Sequence, residues 1–401
     1  MQQPEHRDTM SGIRTARCNS LTQYLYSKAS RMKIPISGTF ELSPVCNFSC
    51  RMCYVRKTRQ EVACSPRGIL MLDDWRKIAK ELLEAGTLSI LLTGGEPLLW
   101  PDFWTLYEEL IDMGFQVSVN TNGSLIDEDA LLRFRRRPPH HINITLYGAS
   151  DETYHRLCAV RGVFSRVDNA IRSLKTIDIP VRINGSLTPE NAHDLKWIVS
   201  YARELGAQLS VATYMFPPVR RDPGSIGRNE RFTPEESANY LMHFLRLNRG
   251  EERYRKYLQE IRSGCAEPPG LDESCYDPAD GKVRCRAGKA SFWITWDGWL
   301  TPCGMMPEPR TELRGRSFAD AWRELVELTA ALRLSKVCES CPNQSICHSC
   351  AALAYAETGS FSGIPTYMCR AAQQMRRIAR EDGGSHEPHP YMPTGNGDTS
   401  L

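Results

Sequence analysis

Cys46, Cys50 and Cys53 stand on one short stretch, with three and then two residues between them. Thiolates spaced this closely can converge on one inorganic centre only if the backbone between them curls into a loop, so this stretch constrains the fold more than any other. The chain holds 15 cysteines in all. Three lie within Cys46–Cys53 and nine between Cys265 and Cys369, whereas Ser65 to Gly264 holds only Cys158. A disulfide scaffold belongs to small secreted domains. The opening MQQPEHRDTMSGIRTARCNS lacks the apolar core of a signal peptide, so the chain reads as cytoplasmic. In a reducing compartment clustered thiols bind metal or do redox chemistry, and their distribution implies two separate cysteine-dependent sites.

The 401 residues suggest two or three domains, and 41% hydrophobic with 24% charged residues suits a globular protein. A net charge of +3 gives no broad electrostatic footprint for nucleic acid or an anionic membrane. The best apolar run, Leu88–Leu92, is strand-sized and cannot span a bilayer.

From about Ile36 to Tyr214 strand-like and helix-like segments alternate. Strands are expected at Ile36–Ser43, Leu88–Thr93, Gln116–Asn120, His141–Tyr147, Pro180–Leu187 and Leu209–Tyr214. Helix Asp74–Ala85 carries Trp75, Ile78, Ala79, Leu82 and Leu83 on one face. Further helices are expected from Pro101 to Gly114 and at Asp127–Arg135, Ser165–Thr176 and Ala192–Leu205. This alternation predicts an α/β fold: a partial (β/α)6 TIM-like barrel with right-handed crossovers, followed by a small cysteine-rich C-terminal domain. The expected divisions are an N-terminal arm (1–35), the barrel (36–215), a linker with a capped helix after Thr233 (216–264), the cysteine-rich domain (265–375) and a disordered tail (376–401). The cysteine-rich domain should fold around metal rather than a large core, with one helix near Ser317–Leu332.

A cubane iron–sulfur cluster can take three thiolates from such a loop and leave its fourth iron open. Structural zinc is the alternative, although it favours four ligands in two separated pairs. On the loop after the first strand of a partial barrel, Cys46, Cys50 and Cys53 resemble the radical S-adenosylmethionine (SAM) enzymes. Thr93-Gly94-Gly95-Glu96-Pro97, at the end of the second strand, is similar to that family's Gly-Gly-Glu-Pro motif. The resemblance implies that SAM chelates the open iron and that one electron cleaves it to a 5′-deoxyadenosyl radical, which takes hydrogen from a substrate. It makes Cys46, Cys50 and Cys53 the catalytic cluster ligands and Gly94, Gly95, Glu96 and Pro97 cofactor-binding, with Glu96 accepting from the ligand ammonium. At later strand ends Asn120, Asn122, Thr145 and Ser186 are further cofactor contacts by the same resemblance, with Gly148 and Asn184 near them.

Cys285-x12-Gly298-x4-Cys303, then Cys338-x2-Cys341-x5-Cys347-x2-Cys350 and Cys369, resembles the SPASM extension of this family. The last short spacing is two residues, where the family usually has three. The resemblance implies two auxiliary [4Fe–4S] clusters, one on Cys275, Cys285, Cys303 and Cys350, the other on Cys338, Cys341, Cys347 and Cys369. Cys265 is an alternative to Cys275, His348 is a possible substitute ligand, and zinc sites are the alternative for the region. Cys64 and Cys158, in or beside barrel loops, are candidate hydrogen donors to a substrate radical, with inert thiols as the plainer reading.

The resemblance therefore implies an oxidoreductase that modifies a ribosomally made peptide or protein side chain. Its implied partners are a flavodoxin- or ferredoxin-type reductant and either a separate leader-recognition protein or a substrate that needs no leader, since about 35 N-terminal residues are too few for a recognition module of their own. The rivals are radical oxidation or rearrangement of a small metabolite, and a non-enzymatic zinc-binding module.

Overall fold

The structure, a computed structural model, describes residues 21–266, 283, 285–347 and 349–381. The sequence expectations for Cys275 and His348 therefore lie outside the described residues. Helix α1 (Leu21–Met32) precedes β1 (Ser37–Glu41), the short α2 (Arg59–Ala63) and α3 (Leu72–Glu84). Then come β2 (Ser89–Thr93), α4 (Phe103–Asp112), β3 (Gln116–Thr121), α5 (Glu128–Arg136), β4 (His141–Thr145), α6 (Asp151–Cys158), α7 (Phe164–Thr176), β5 (Val181–Ser186), α8 (Leu195–Glu204) and β6 (Gln208–Ala212). Two long helices, α9 (Pro234–Arg249) and α10 (Glu251–Ser263), lead to β7 (Ser291–Ile294), β8 (Trp299–Thr301) and β9 (Thr311–Glu312). The chain closes with α11 (Phe318–Ala331), α12 (Lys336–Glu339), α13 (Ala351–Thr358) and α14 (Thr366–Glu381).

The six expected strands are parallel and lie in chain order, joined by helices that cover their outer face. Phe40, Val119, Ile142 and Ile183 alternate with polar neighbours, and with Leu92 they join one core with Trp75, Leu82, Leu106, Tyr107 and Ile171. The sheet does not stop at β1. Strand β7 pairs with its free side in parallel, and β8 and β9 continue antiparallel, giving the order β6-β5-β4-β3-β2-β1-β7-β8-β9. Gly38 makes that junction possible, because a Cβ there would lie 2.3 Å from the Phe292 ring.

Three expectations need correction. Residues before Ile36 are not wholly an irregular arm: α1 seats Ala29 against Ile36 and Ala290, and the Arg286 guanidinium stacks 3.5 Å from the Tyr26 ring. The cysteine-rich region shares both a sheet and a core with what precedes it. In that core α9, α10 and α14 bury Phe244, Tyr257, Leu258, Ile261, Ala372 and Met375 together. Helix α14 runs to Glu381, past the expected start of a tail at 376, because Tyr367, Met368, Ala371, Ala372, Met375 and Ala379 form one continuous buried face.

Candidate active site

Polar and sulfur side chains from the C-terminal ends of the barrel strands surround a cavity of about 340 Å³. The three cysteines of the first loop line it, together with Gly94 and Gly95 after β2, Asn120 and Thr121 on β3, Asn122 just after it, Thr145 on β4 and Asn184 and Ser186 on β5. The loop is held against β2 by backbone alone. Gly95 N–H donates to the Ser43 carbonyl (2.7 Å) and Glu96 N–H to that of Val45 (2.9 Å). A Cβ on Gly94 would lie 2.3 Å from the Ser43 oxygen, and one on Gly95 2.5 Å from the Val45 oxygen. Both glycines are thus required by the close approach of the cysteine loop.

Glu96 does not reach the cavity wall. It is fully buried, and its carboxylate accepts from Thr121 Oγ1 (2.8 Å), Asn122 N–H (2.8 Å) and Leu98 N–H (3.2 Å). Burial raises its carboxyl to about 7, against the pull of those donors. In this arrangement Glu96 ties the end of β2 to the turn after β3 rather than presenting a free oxygen to a ligand. That turn in turn holds the cysteine loop: Asn122 Nδ2 donates to Asn47 Oδ1 (2.9 Å), and Asn47 Nδ2 donates to Ser124 Oγ (2.9 Å). Pro97 opens a short 3-10 turn and is buried away from the cavity, and Gly148 packs on Thr153 and Asp194.

The three thiols have different surroundings. Burial raises the Cys46 thiol to about 12, partly offset by the Phe48 N–H at 3.4 Å. Burial also raises that of Cys53, which accepts from Arg56 N–H at 3.4 Å. Cys50 is lowered, because the Cys158 thiol and the Tyr147 hydroxyl hydrogen-bond to its sulfur and outweigh burial. Among the described residues no three cysteine, histidine or acidic side chains close on one point as a single metal ion needs. Around the cavity the three sulfurs ring a shared space, which is the arrangement a multi-iron cluster asks of separate ligands.

The C-terminal cysteines fall into two groups. Cys338, Cys341, Cys347 and Cys369 line one enclosed space of about 30 Å³, walled by Leu334, Pro365 and Ala372. Cys285, Cys303 and Cys350 influence one another electrostatically, and burial raises Cys303 to about 11 and Cys350 to about 12. The two-residue spacing sends Cys347 and Cys350 to different groups, with Cys350 capping α13 through the Leu353 N–H (3.5 Å). Cys265 is exposed at the end of α10. Cys64 is exposed and Cys158 is buried behind Cys50, and neither lines the cavity, so neither stands where it can donate hydrogen to a substrate there.

The sequence reading missed Tyr54, Tyr147, Tyr214 and Met305, all on the cavity wall. Tyr147 and Met305 lie two residues beyond Thr145 and Cys303, and strand-end spacing is the signal that points to them.

A partial parallel barrel with three thiols at its open end and a cysteine-rich partner beside its first strand defines a class of redox enzyme built around iron–sulfur chemistry. Residues 40–202 match the radical SAM superfamily, and over most of its length the chain is similar to radical SAM enzymes, SPASM-type ones among them. It is 25% identical over 334 residues to the AdoMet-dependent heme synthase of Methanosarcina barkeri, spanning 80% of this chain and 93% of that one. It is 22% identical over 335 residues to the antilisterial bacteriocin subtilosin biosynthesis protein AlbA of Bacillus subtilis, spanning 81% and 69%. The fold is similar to that of Streptococcus suis SuiB bound to precursor peptide SuiA, with a TM-score of 0.62 at 18% identity over 87% of this chain and 79% of SuiB. The family implies SAM and a [4Fe–4S] cluster as cofactors. Among the described residues no helix is long and apolar enough to cross a membrane.

Proposed function

We propose that this protein is a peptide or protein maturase, in which Cys46, Cys50 and Cys53 hold the cluster and the cavity beside them receives SAM and one substrate side chain. The observation that carries this reading is the open edge of the sheet beside the cavity. Strand β6 ends the sheet on that side, with Gln208, Ser210 and Ala212 exposed and Ala212 on the cavity wall. An extended chain can lie along such an edge and turn one side chain inward, which a closed barrel would forbid. The donor set fits the group: thiols that ring a space, and a loop whose position two glycines and Asn47 fix.

Bound there, SAM and the cluster supply one-electron chemistry able to break an unactivated C–H bond; the chain's own residues bind, orient and exclude water. Asn120 and Asn122, Thr145 and Ser186 offer amide and hydroxyl groups to the cofactor's polar parts, and Met52, Met215 and Phe216 supply apolar wall. Glu96 acts through the β3 turn. The groups Cys285/Cys303/Cys350 and Cys338/Cys341/Cys347/Cys369 would hold two auxiliary clusters, which would supply one-electron transfer capacity beside the barrel. A flavodoxin- or ferredoxin-type protein delivers the first electron, and a separate protein recognises any leader.

The similarity to a heme synthase over most of its length favours a second reading, in which the substrate is a tetrapyrrole. One experiment separates them. The anaerobically reconstituted enzyme is given SAM, dithionite and either a panel of short synthetic peptides or an iron tetrapyrrole. The maturase reading expects about twelve iron and twelve sulfide per chain, and loss of hydrogen from the peptide coupled to 5′-deoxyadenosine. Coupled oxidation of the tetrapyrrole alone overturns it.

A further inference from the structure

The cavity has two kinds of wall. At the ends of β3, β4 and β5 it presents amides and hydroxyls, whereas Tyr214, Met215, Phe216 and Met305 present rings and thioethers. Ala212, Tyr214 and Phe216 stand at every second position from the end of β6, and all three line the cavity. A side chain turned inward from a chain lying along β6 therefore comes against the Tyr214 and Phe216 rings. These rings pack edge to face, with centroids 5.0 Å apart and planes at 80°. Asn229 fixes the second of them, donating from Nδ2 to the Phe216 carbonyl (2.6 Å). The charges beside this wall are held off it. The Tyr214 hydroxyl donates to the Glu357 carboxylate on α13, and Arg231 clamps the same carboxylate with two hydrogen bonds. Arg231 also donates to the Gly227 carbonyl (2.9 Å), and its guanidinium lies 5.1 Å from the Tyr214 ring and 4.3 Å from that of Tyr367. Both members of the pair are 8% exposed, and neither lines the cavity. Among the described residues, no acidic or basic side chain lines it.

We infer that the substrate side chain this cavity receives is uncharged and apolar, aromatic or branched aliphatic, and that Tyr214 and Phe216 select it. Arg231 and Glu357 are positioning residues, which hold Tyr214 in place and keep their own charges paired with each other behind the wall. The inference rests on the peptide reading of the cavity and deepens it by naming the class of side chain. An aromatic ring or a branched aliphatic chain buries apolar surface against both rings, and an aromatic one adds an edge-to-face contact. A carboxylate or an ammonium group would shed its water there and find its nearest countercharge already taken.

The test is anaerobic equilibrium dialysis of the reconstituted full chain, with SAM present, against pentapeptides of glycine carrying one central phenylalanine, leucine, glutamate or lysine. The phenylalanine and leucine peptides should bind about tenfold to a hundredfold more tightly than the other two. Phe216→Ala should remove most of that advantage. Glu357→Gln leaves the Arg231 charge without its counter-ion, so it should bring the glutamate peptide closer to the phenylalanine peptide and leave the lysine peptide far behind. A mere disturbance of packing would move both charged peptides alike, and that result would remove the role given to Arg231 and Glu357. Wild-type affinities equal across the four peptides, or tightest for glutamate or lysine, would overturn the inference while leaving the peptide reading intact, and they depend on no variant folding. Binding of none of the four would overturn the peptide reading and this inference with it.

Discussion

Arg220 closes on Glu41 with two parallel hydrogen bonds, 2.9 Å and 3.0 Å, at the last residue of β1 just before the cysteine loop. Glu41 is fully buried and also accepts from Trp293 Nε1 (2.8 Å), while Arg220 donates to the carbonyl of Gly304 (2.7 Å), next to Cys303. One ion pair thus joins the first cysteine loop to the second cysteine region. Removing one partner of a buried pair leaves an uncompensated charge, at a cost of about 3–5 kcal/mol. Arg220→Met should lose that much stability in denaturant unfolding, and the double variant Glu41→Gln/Arg220→Met should recover a large part. Equal losses in the two would mean that the pair contributes nothing as a pair.

Gly95→Ala places a methyl 2.5 Å from the Val45 oxygen, so the cysteine loop must move. Iron content after reconstitution should fall by about one third, with the C-terminal cysteines still loaded. Glu96→Gln should do the same more mildly, since the new amide opposes the donors of Asn122, Thr121 and Leu98. Unpaired buried donors cost about 1–3 kcal/mol. If Glu96→Gln weakened SAM binding while leaving iron content intact, the carboxylate would be acting on the ligand directly.

His141, at the start of β4, is lowered to about 4 by burial, then by Arg182 and His140. Arg182 donates to its Nε2 (3.3 Å), which leaves Nδ1–H for Ser118 Oγ (3.1 Å), a pattern that requires the neutral ring. The unfolded chain takes up this proton near the ordinary histidine value of about 6.5, whereas the folded chain resists it. Stability should therefore fall as pH drops from about 6.5 towards 4. The unfolding midpoint of His141→Gln should depend less steeply on pH across that window; an unchanged slope would show that other groups set it.

Cys347→Ala and Cys350→Ala should differ in which signal they remove, although the residues are close in sequence. Cys347→Ala should abolish the centre shared with Cys338, Cys341 and Cys369, and Cys350→Ala the one shared with Cys285 and Cys303. Each should cost about four iron per chain. Loss of the same resonance in both would merge the two groups into one.

The barrel was legible because each buried strand repeats a two-residue alternation and each helix a single apolar face, as at Trp75, Ile78, Ala79 and Leu82. The positions of Asn120, Asn122, Thr145 and Ser186 followed from strand ends, where a parallel sheet gathers its loops. The partners of Glu96 were not legible, because a glutamate beside glycines looks available and only the fold reveals three donors aimed at it. Strand β7 escaped because four residues carry too little periodicity to register, and its partner β1 lies far away in sequence. Helix α14 was missed because its alanines and methionines mark a face only when α9 and α10 are there to receive it.

Since β1 is hydrogen-bonded to β2 on one flank and to β7 on the other, the two halves of this protein meet along a shared seam of backbone. Cutting the chain between them would not yield two tidy pieces. The N-terminal piece would keep a bare row of amides and carbonyls on β1, with Gly38 offering no side chain to shield it, and an uncovered strand of that kind recruits the nearest other strand. The barrel expressed alone should therefore come out of solution as self-paired aggregate, and it would become soluble only when Ser291–Ile294 was supplied to fill the gap.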